Sequence, residues 1–163
     1  MTNLHYEFTG ETKVTRDGAT LRRIRATKDL PNFGVKTGDV GGWIEKESNL
    51  QGNAWVADEA KVFGNAKVYE NALVSDYARV YDDVSVYGSA WVYEGTEVFG
   101  NAQVYDNARV YGGAVVSGSS RVFDNARVYG DTEVYGYTLV SGSAKVYDNA
   151  VVSGNAKVYG DAH

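Results

Sequence analysis

An imidazole is the side chain best suited to act as a general base, or to hold a transition metal, near neutral pH. This chain of 163 residues has two, His5 and His163, at opposite ends of the sequence. Neither a paired-histidine metal site nor a histidine next to a nucleophile is offered at local spacing. Cysteine is absent, which removes thiolate chemistry and disulfides together. Asp82 and Asp83 are adjacent carboxylates, but they fall where the chain must turn and are expected to serve the turn. No Gly-x-Ser-x-Gly, P-loop or paired-histidine motif occurs. No catalytic residue, cofactor or metal is therefore expected, and the chemistry left is recognition. Trp91, Arg109, Arg127 and Lys145 recur every 18 residues, and Tyr93, Tyr111, Tyr129 and Tyr147 follow them two positions later. Cations beside phenol and indole rings hold anions by charge-assisted hydrogen bonds and anchor protein interfaces.

What sets that spacing is a repeat. From Asn53 to Gly160 the chain divides into 18 hexads without an insertion, and the fourth position of each is Val, from Val56 to Val158. The second position is Ala in 13 hexads, the fifth is Tyr or Phe in 13, and the sixth is always Gly, Asp or Glu. In an extended segment alternate side chains point the same way, so positions two and four face inward and three and five face outward. Gly, Asp and Asn at positions six and one tolerate the conformations of a corner. Each hexad is thus one short strand and one corner, and three hexads close a triangular coil of 18 residues. A helix is excluded, because apolar residues at i and i+2 with period six never form a 3.6-residue stripe. Ile44 and Leu50 occupy the Val position of two less regular hexads just before the repeats.

Residues 1–40 read as a small β-rich cap and 41–163 as the solenoid. Within the cap, His5–Phe8, Thr12–Thr15 and Thr20–Ala26 are strand-like, and Asp17-Gly18 marks a hairpin turn. Solenoids need caps over terminal apolar coils. Arg22, Arg23 and Arg25 are expected on a solvated strand face, and Trp43 as a plug at the junction. Seen along the axis, one face carries Trp55, Leu73, Trp91, Arg109, Arg127 and Lys145 beside the tyrosine column; a second carries Tyr69, Tyr87, Tyr105, Phe123 and Tyr159. Residues 1–52 hold 7 acidic and 8 basic side chains, whereas the formal charge of the whole chain is −5, so the solenoid is acidic. That balance argues against nucleic-acid binding. The absence of a leader-like or membrane-length apolar run gives the cytoplasm as the expected location and no membrane partner.

The repeat resembles the hexapeptide-repeat left-handed β-helix over about three-quarters of the chain, although three-sided right-handed solenoids such as bactofilins use faces of similar length. The leader Gly38-Asp39-Val40-Gly41-Gly42-Trp43-Ile44-Glu45, followed by Asn-Ala-x-Val-Tyr-Gly repeats, is similar to that of uncharacterised hexapeptide proteins of bacteria and phages. The first resemblance implies an all-β, single-stranded left-handed parallel β-helix. It also implies kinship with acyltransferases, which use a histidine between coils of neighbouring subunits, and with carbonic anhydrases, which place three histidines around a metal. Those histidines are missing here, so the expectation is a non-catalytic relative. The same resemblance implies a homo-oligomer, as a side-by-side trimer or, from the irregular stop at Asp161-Ala162-His163, a C-terminal end-to-end dimer. The expected function is binding of a protein partner or a small anionic, nucleotide-like ligand, in the manner of a phage-encoded inhibitor or sequestering protein. A filament-forming scaffold and an acyltransferase relic are the alternatives.

Overall fold

The computed structural model describes residues 4–163. Two antiparallel strands, β1 (Tyr6–Val14) and β2 (Thr20–Ala26), form the hairpin, with Gly18 at φ 88° in its turn. Strand β3 (Val40–Ile44) pairs antiparallel with β2 on one side. On its other side it runs parallel to Lys61–Val62 of the first regular coil. The cap therefore extends one solenoid sheet rather than merely sitting on it.

From Trp55 onward the chain is a parallel β-solenoid of two-residue strands, stacked in strict 18-residue register. Three sheets form its faces. Face I stacks Trp55–Val56, Leu73–Val74, Trp91–Val92, Arg109–Val110, Arg127–Val128 and Lys145–Val146. Face II is the nine-stranded sheet that continues from β1, β2 and β3 through Lys61–Val62 to Val151–Val152. Face III runs from Lys67–Val68 to Lys157–Val158. The fourth-position valines fill the interior, and those from Val56 to Val140 are completely buried. Each such side chain contributes roughly 1.5–3 kcal/mol of transfer free energy, which is the main term holding the coils together.

Backbone polar groups are accounted for coil by coil. The amides of positions one, three and five donate to carbonyls one coil higher, as in Asn107 to Asp124 (2.9 Å), Trp91 to Ala108 (3.0 Å) and Tyr93 to Val110 (3.0 Å). All 18 sixth-position residues adopt positive φ, which is why glycine or a short acidic residue stands there. Where the residue is acidic, its carboxylate commonly accepts the amide of the corner above: Glu70 from Gly88 (2.7 Å), Asp82 from Gly100 (3.0 Å) and Asp124 from Gly142 (2.9 Å). The adjacent Asp83 accepts from the Asn65 amide group at 3.0 Å, so both members of that carboxylate pair serve the corner.

The lower end is closed by the cap. Trp55, an outward position by the repeat pattern, is 1% exposed, because His5 packs against its ring and Gly41 lies on it. Among the described residues no helix is long and apolar enough to cross a membrane.

Candidate binding face

The register of face I places the eight candidate residues on adjacent strands of one face. Arg109 pairs with Trp91 below it and Arg127 above it, and Arg127 pairs with Lys145. Two positions later the phenol rings stack: Tyr93 on Tyr111 at 4.9 Å between centroids, Tyr111 on Tyr129 at 4.9 Å, and Tyr129 on Tyr147 at 5.4 Å. Their planes lie within 11° of parallel, because each ring repeats the rotamer of the one a strand spacing below. Arg109 extends its guanidinium over the Trp91 ring, 5.0 Å from the centroid.

Electrostatics separate this face from its neighbours. Arg109, Arg127 and Lys145 have no carboxylate partner among the ion pairs of the described residues. Arg109 and Arg127 are exposed. Burial between neighbouring rings raises the Tyr93 and Tyr111 phenols above their ordinary value, with the adjacent phenol adding to this and the arginines opposing it. Those two phenols therefore stay protonated at physiological pH. At the upper edge a hollow of ≈ 290 Å³ is lined by Lys145, Tyr147, Val152, Val158 and His163.

On face III, Tyr69, Tyr87, Tyr105 and Phe123 stack at 4.9–5.0 Å, whereas Tyr159 stands apart and is 68% exposed. Ser141 occupies the intervening coil and interrupts the column. A third ladder, Phe63, Tyr81 and Phe99 on face II, was not anticipated, although it is legible as every third fifth-position residue from Phe63. The arginine cluster is divided among separate contacts. Arg22 covers the Phe8 ring at 3.9 Å, Arg23 binds Glu59 (2.8 Å) and the Gly41 carbonyl (2.9 Å), and Arg25 pairs with Glu7 (3.0 Å). Trp43 is 6% exposed, packed with Leu21 and Phe63, and donates to Glu59 at 3.2 Å. His5 is buried and its Nε2 donates to the Ala54 carbonyl at 2.7 Å, a structural contact. Among the described residues no group of three or more His, Asp or Glu side chains is arranged to hold a metal.

Comparison with known proteins gives one family: the YdcK beta solenoid repeat matches residues 78–94 and 102–118. These segments fall in the second to fourth regular coils, so the match agrees with the repeat architecture of that part of the chain. No curated protein matches.

Proposed function

We propose that the chain is a non-catalytic, homo-oligomeric binding scaffold whose association surface is the patch formed by Trp91, Tyr93, Arg109, Tyr111, Arg127, Tyr129, Lys145 and Tyr147. The observation that carries this reading is charge complementarity between two faces of the same coil. The upper half of face I is a cationic column without carboxylate partners. The upper half of face II carries Glu133, with Tyr135 42% exposed and Val151 58% exposed. Arg127 and Glu133 belong to the same coil, so a copy placed alongside with its axis parallel presents its Glu133 at the height of Arg127. Such a contact is heterologous and closes into a ring when its rotation allows. Half-buried Trp91, Tyr93, Tyr111 and Tyr129 and exposed Tyr147, set beside Arg, are residue types that usually anchor protein association.

In this reading the cleft between subunits, edged by Arg, Lys and Tyr, takes a small anion by charge-assisted hydrogen bonds. The kinship with hexapeptide-repeat binding proteins, and the phage or bacterial setting it brings, belongs to the same proposal and is supported by the repeat pattern alone. Size-exclusion chromatography with light scattering tests the association. The wild-type chain is expected to elute as a multiple of 17.7 kDa. Arg127→Glu, a surface change that leaves the core intact, is expected to elute as a monomer. An unchanged oligomer in Arg127→Glu would remove face I from the interface.

A further inference from the structure

The hairpin does more than extend a sheet. Its turn folds over the outer surface of face II and leaves a hollow of ≈ 250 Å³ whose lining includes Lys13, Thr15, Arg16, Leu21, Lys61 and Arg79. Four of these side chains are cations, and no carboxylate contributes to the wall. The two acids that contact Lys13 and Arg79 are shared with other donors. Glu59 accepts from Lys13 (2.9 Å), Arg23 (2.8 Å) and the Trp43 ring nitrogen (3.2 Å). Glu97 accepts from Arg79 (3.2 Å) and the Tyr81 hydroxyl (3.4 Å). Asp17, in the hairpin turn itself, lines a separate hollow together with Glu45 and Asp82. Lys61 and Arg16 take part in none of the ion pairs among the described residues.

Lys13 and Arg79 are each paired with one carboxylate while Arg16 and Lys61 are not, and the remaining repulsion shows at Lys61. Burial lowers its ammonium pKa, the Lys13 and Arg79 charges lower it further, and Glu59 opposes them. The Thr15 hydroxyl accepts the Ala19 amide at 3.0 Å, which leaves its own proton free to donate. Leu21, fully buried, contributes an apolar wall that limits water. A planar guanidinium fork, an ammonium and a hydroxyl converging on one space match the several oxygens of a phosphoryl group. The volume lies just below the ~300–1,000 Å³ of sites for drug-sized molecules. It suits an anion of phosphate or pyrophosphate size better than a whole nucleotide.

We propose that this hollow is a binding site for the phosphoryl group of a small phosphorylated molecule, held by Arg16, Lys61, Arg79 and Thr15 between the hairpin turn and face II. The site is separate from the association patch on face I and stands or falls independently of it. Isothermal titration calorimetry with pyrophosphate, and in parallel with inorganic phosphate, tests it on the full chain, with sodium chloride and sulfate at matched ionic strength as comparisons. Saturable pyrophosphate binding is expected, weakened at least tenfold in Lys61→Met and in Arg16→Met. Lys67→Met, on the exposed surface of face III, is expected to bind as the wild type does. Arg16 lies in an exposed turn, so its variant keeps the fold even if Lys61→Met does not. Absence of saturable heat, an equal response to sulfate, or unaltered affinity in Arg16→Met would each overturn the proposal.

Discussion

At the corners of the coil a single backbone requirement, positive φ, is met by two unlike solutions. Glycine meets it by having no Cβ, while Asp or Glu stands at eight corners, and at six of these its carboxylate accepts the amide of the corner above. Glu70 illustrates what the sequence alone leaves open. A column of Gly, Asp and Glu reads as a turn, but glutamate has no intrinsic preference for this conformation. Its presence at residue 70 becomes intelligible only with the 2.7 Å bond to Gly88 one coil away. Asp124→Ala loses the bond to Gly142 and keeps a Cβ at φ 58°, so it is expected to cost about 1–2 kcal/mol in urea unfolding. Asp124→Gly relieves the backbone and is expected to cost less. Inside the coil, Thr138 is fully buried and its hydroxyl has no hydrogen-bond partner. Val84 occupies the same inward column and is accommodated without exposure. Thr138→Val is therefore expected to raise stability by about 1 kcal/mol, measured by the same unfolding experiment. Val110→Asp would bury an unpaired charge at a 0% exposed position and is expected to abolish the cooperative melt seen by circular dichroism.

Among the elements, the hexad strands were legible because their signal repeats 18 times, and the hairpin because Asp17-Gly18 sits between two β-rich runs. The docking of the cap was not legible. It depends on long-range contacts: His5 to the Ala54 carbonyl at 2.7 Å, the Tyr6 hydroxyl to the Glu47 carbonyl at 3.3 Å, and the close approach of Gly41 and Gly42 to the first coil. A Cβ at Gly41 would lie 2.6 Å from Trp55, and one at Gly42 2.7 Å from the Ala60 carbonyl, so both positions of the leader require glycine for packing. This cap gives a pH dependence with two limits. Burial lowers the His5 pKa from 6.5, Lys28 adds to this, and the bond to Ala54 opposes it. Its stabilisation is complete above pH 6.5 and is lost as pH falls through the depressed folded value. Burial pushes the Tyr6 phenol from 10.0 up to about 12, helped by Glu47 and opposed by Arg22, so its contribution is complete below pH 10.0 and lost as pH rises towards 12. Tryptophan fluorescence, to which the cap-contacting Trp43 and Trp55 contribute, recorded from pH 4 to 11, is expected to report loosening of the cap below about pH 6.5. The far-UV circular dichroism of the coils is expected to change later. Simultaneous loss of both signals would show that cap and coils unfold as one unit.

For the whole molecule, the architecture came from the repeat, and the eight residues of face I were brought together by the same 18-residue register that the sequence displays. The hollow beneath the hairpin was hidden because Lys13 and Arg16 lie more than forty residues before Lys61 and Arg79, in an element whose fold over face II no periodicity encodes. Arg22, Arg23 and Arg25 drew attention as a sequence cluster, yet the convergent cations are others. If face I meets face II of a second copy, charge pairing decides the contact. Arg127→Glu is then expected to dissociate the assembly, and the double reversal Arg127→Glu with Glu133→Arg is expected to restore at least part of it, as read by sedimentation velocity. Restoration fails if the two residues do not oppose one another. The most direct test is native mass spectrometry of the freshly purified wild-type chain. A discrete assembly at an integer multiple of 17.7 kDa is expected, collapsing to one chain in Arg127→Glu. A single species at 17.7 kDa for the wild type would contradict it and leave the tyrosine ladder of face I as stacking that serves the coil alone.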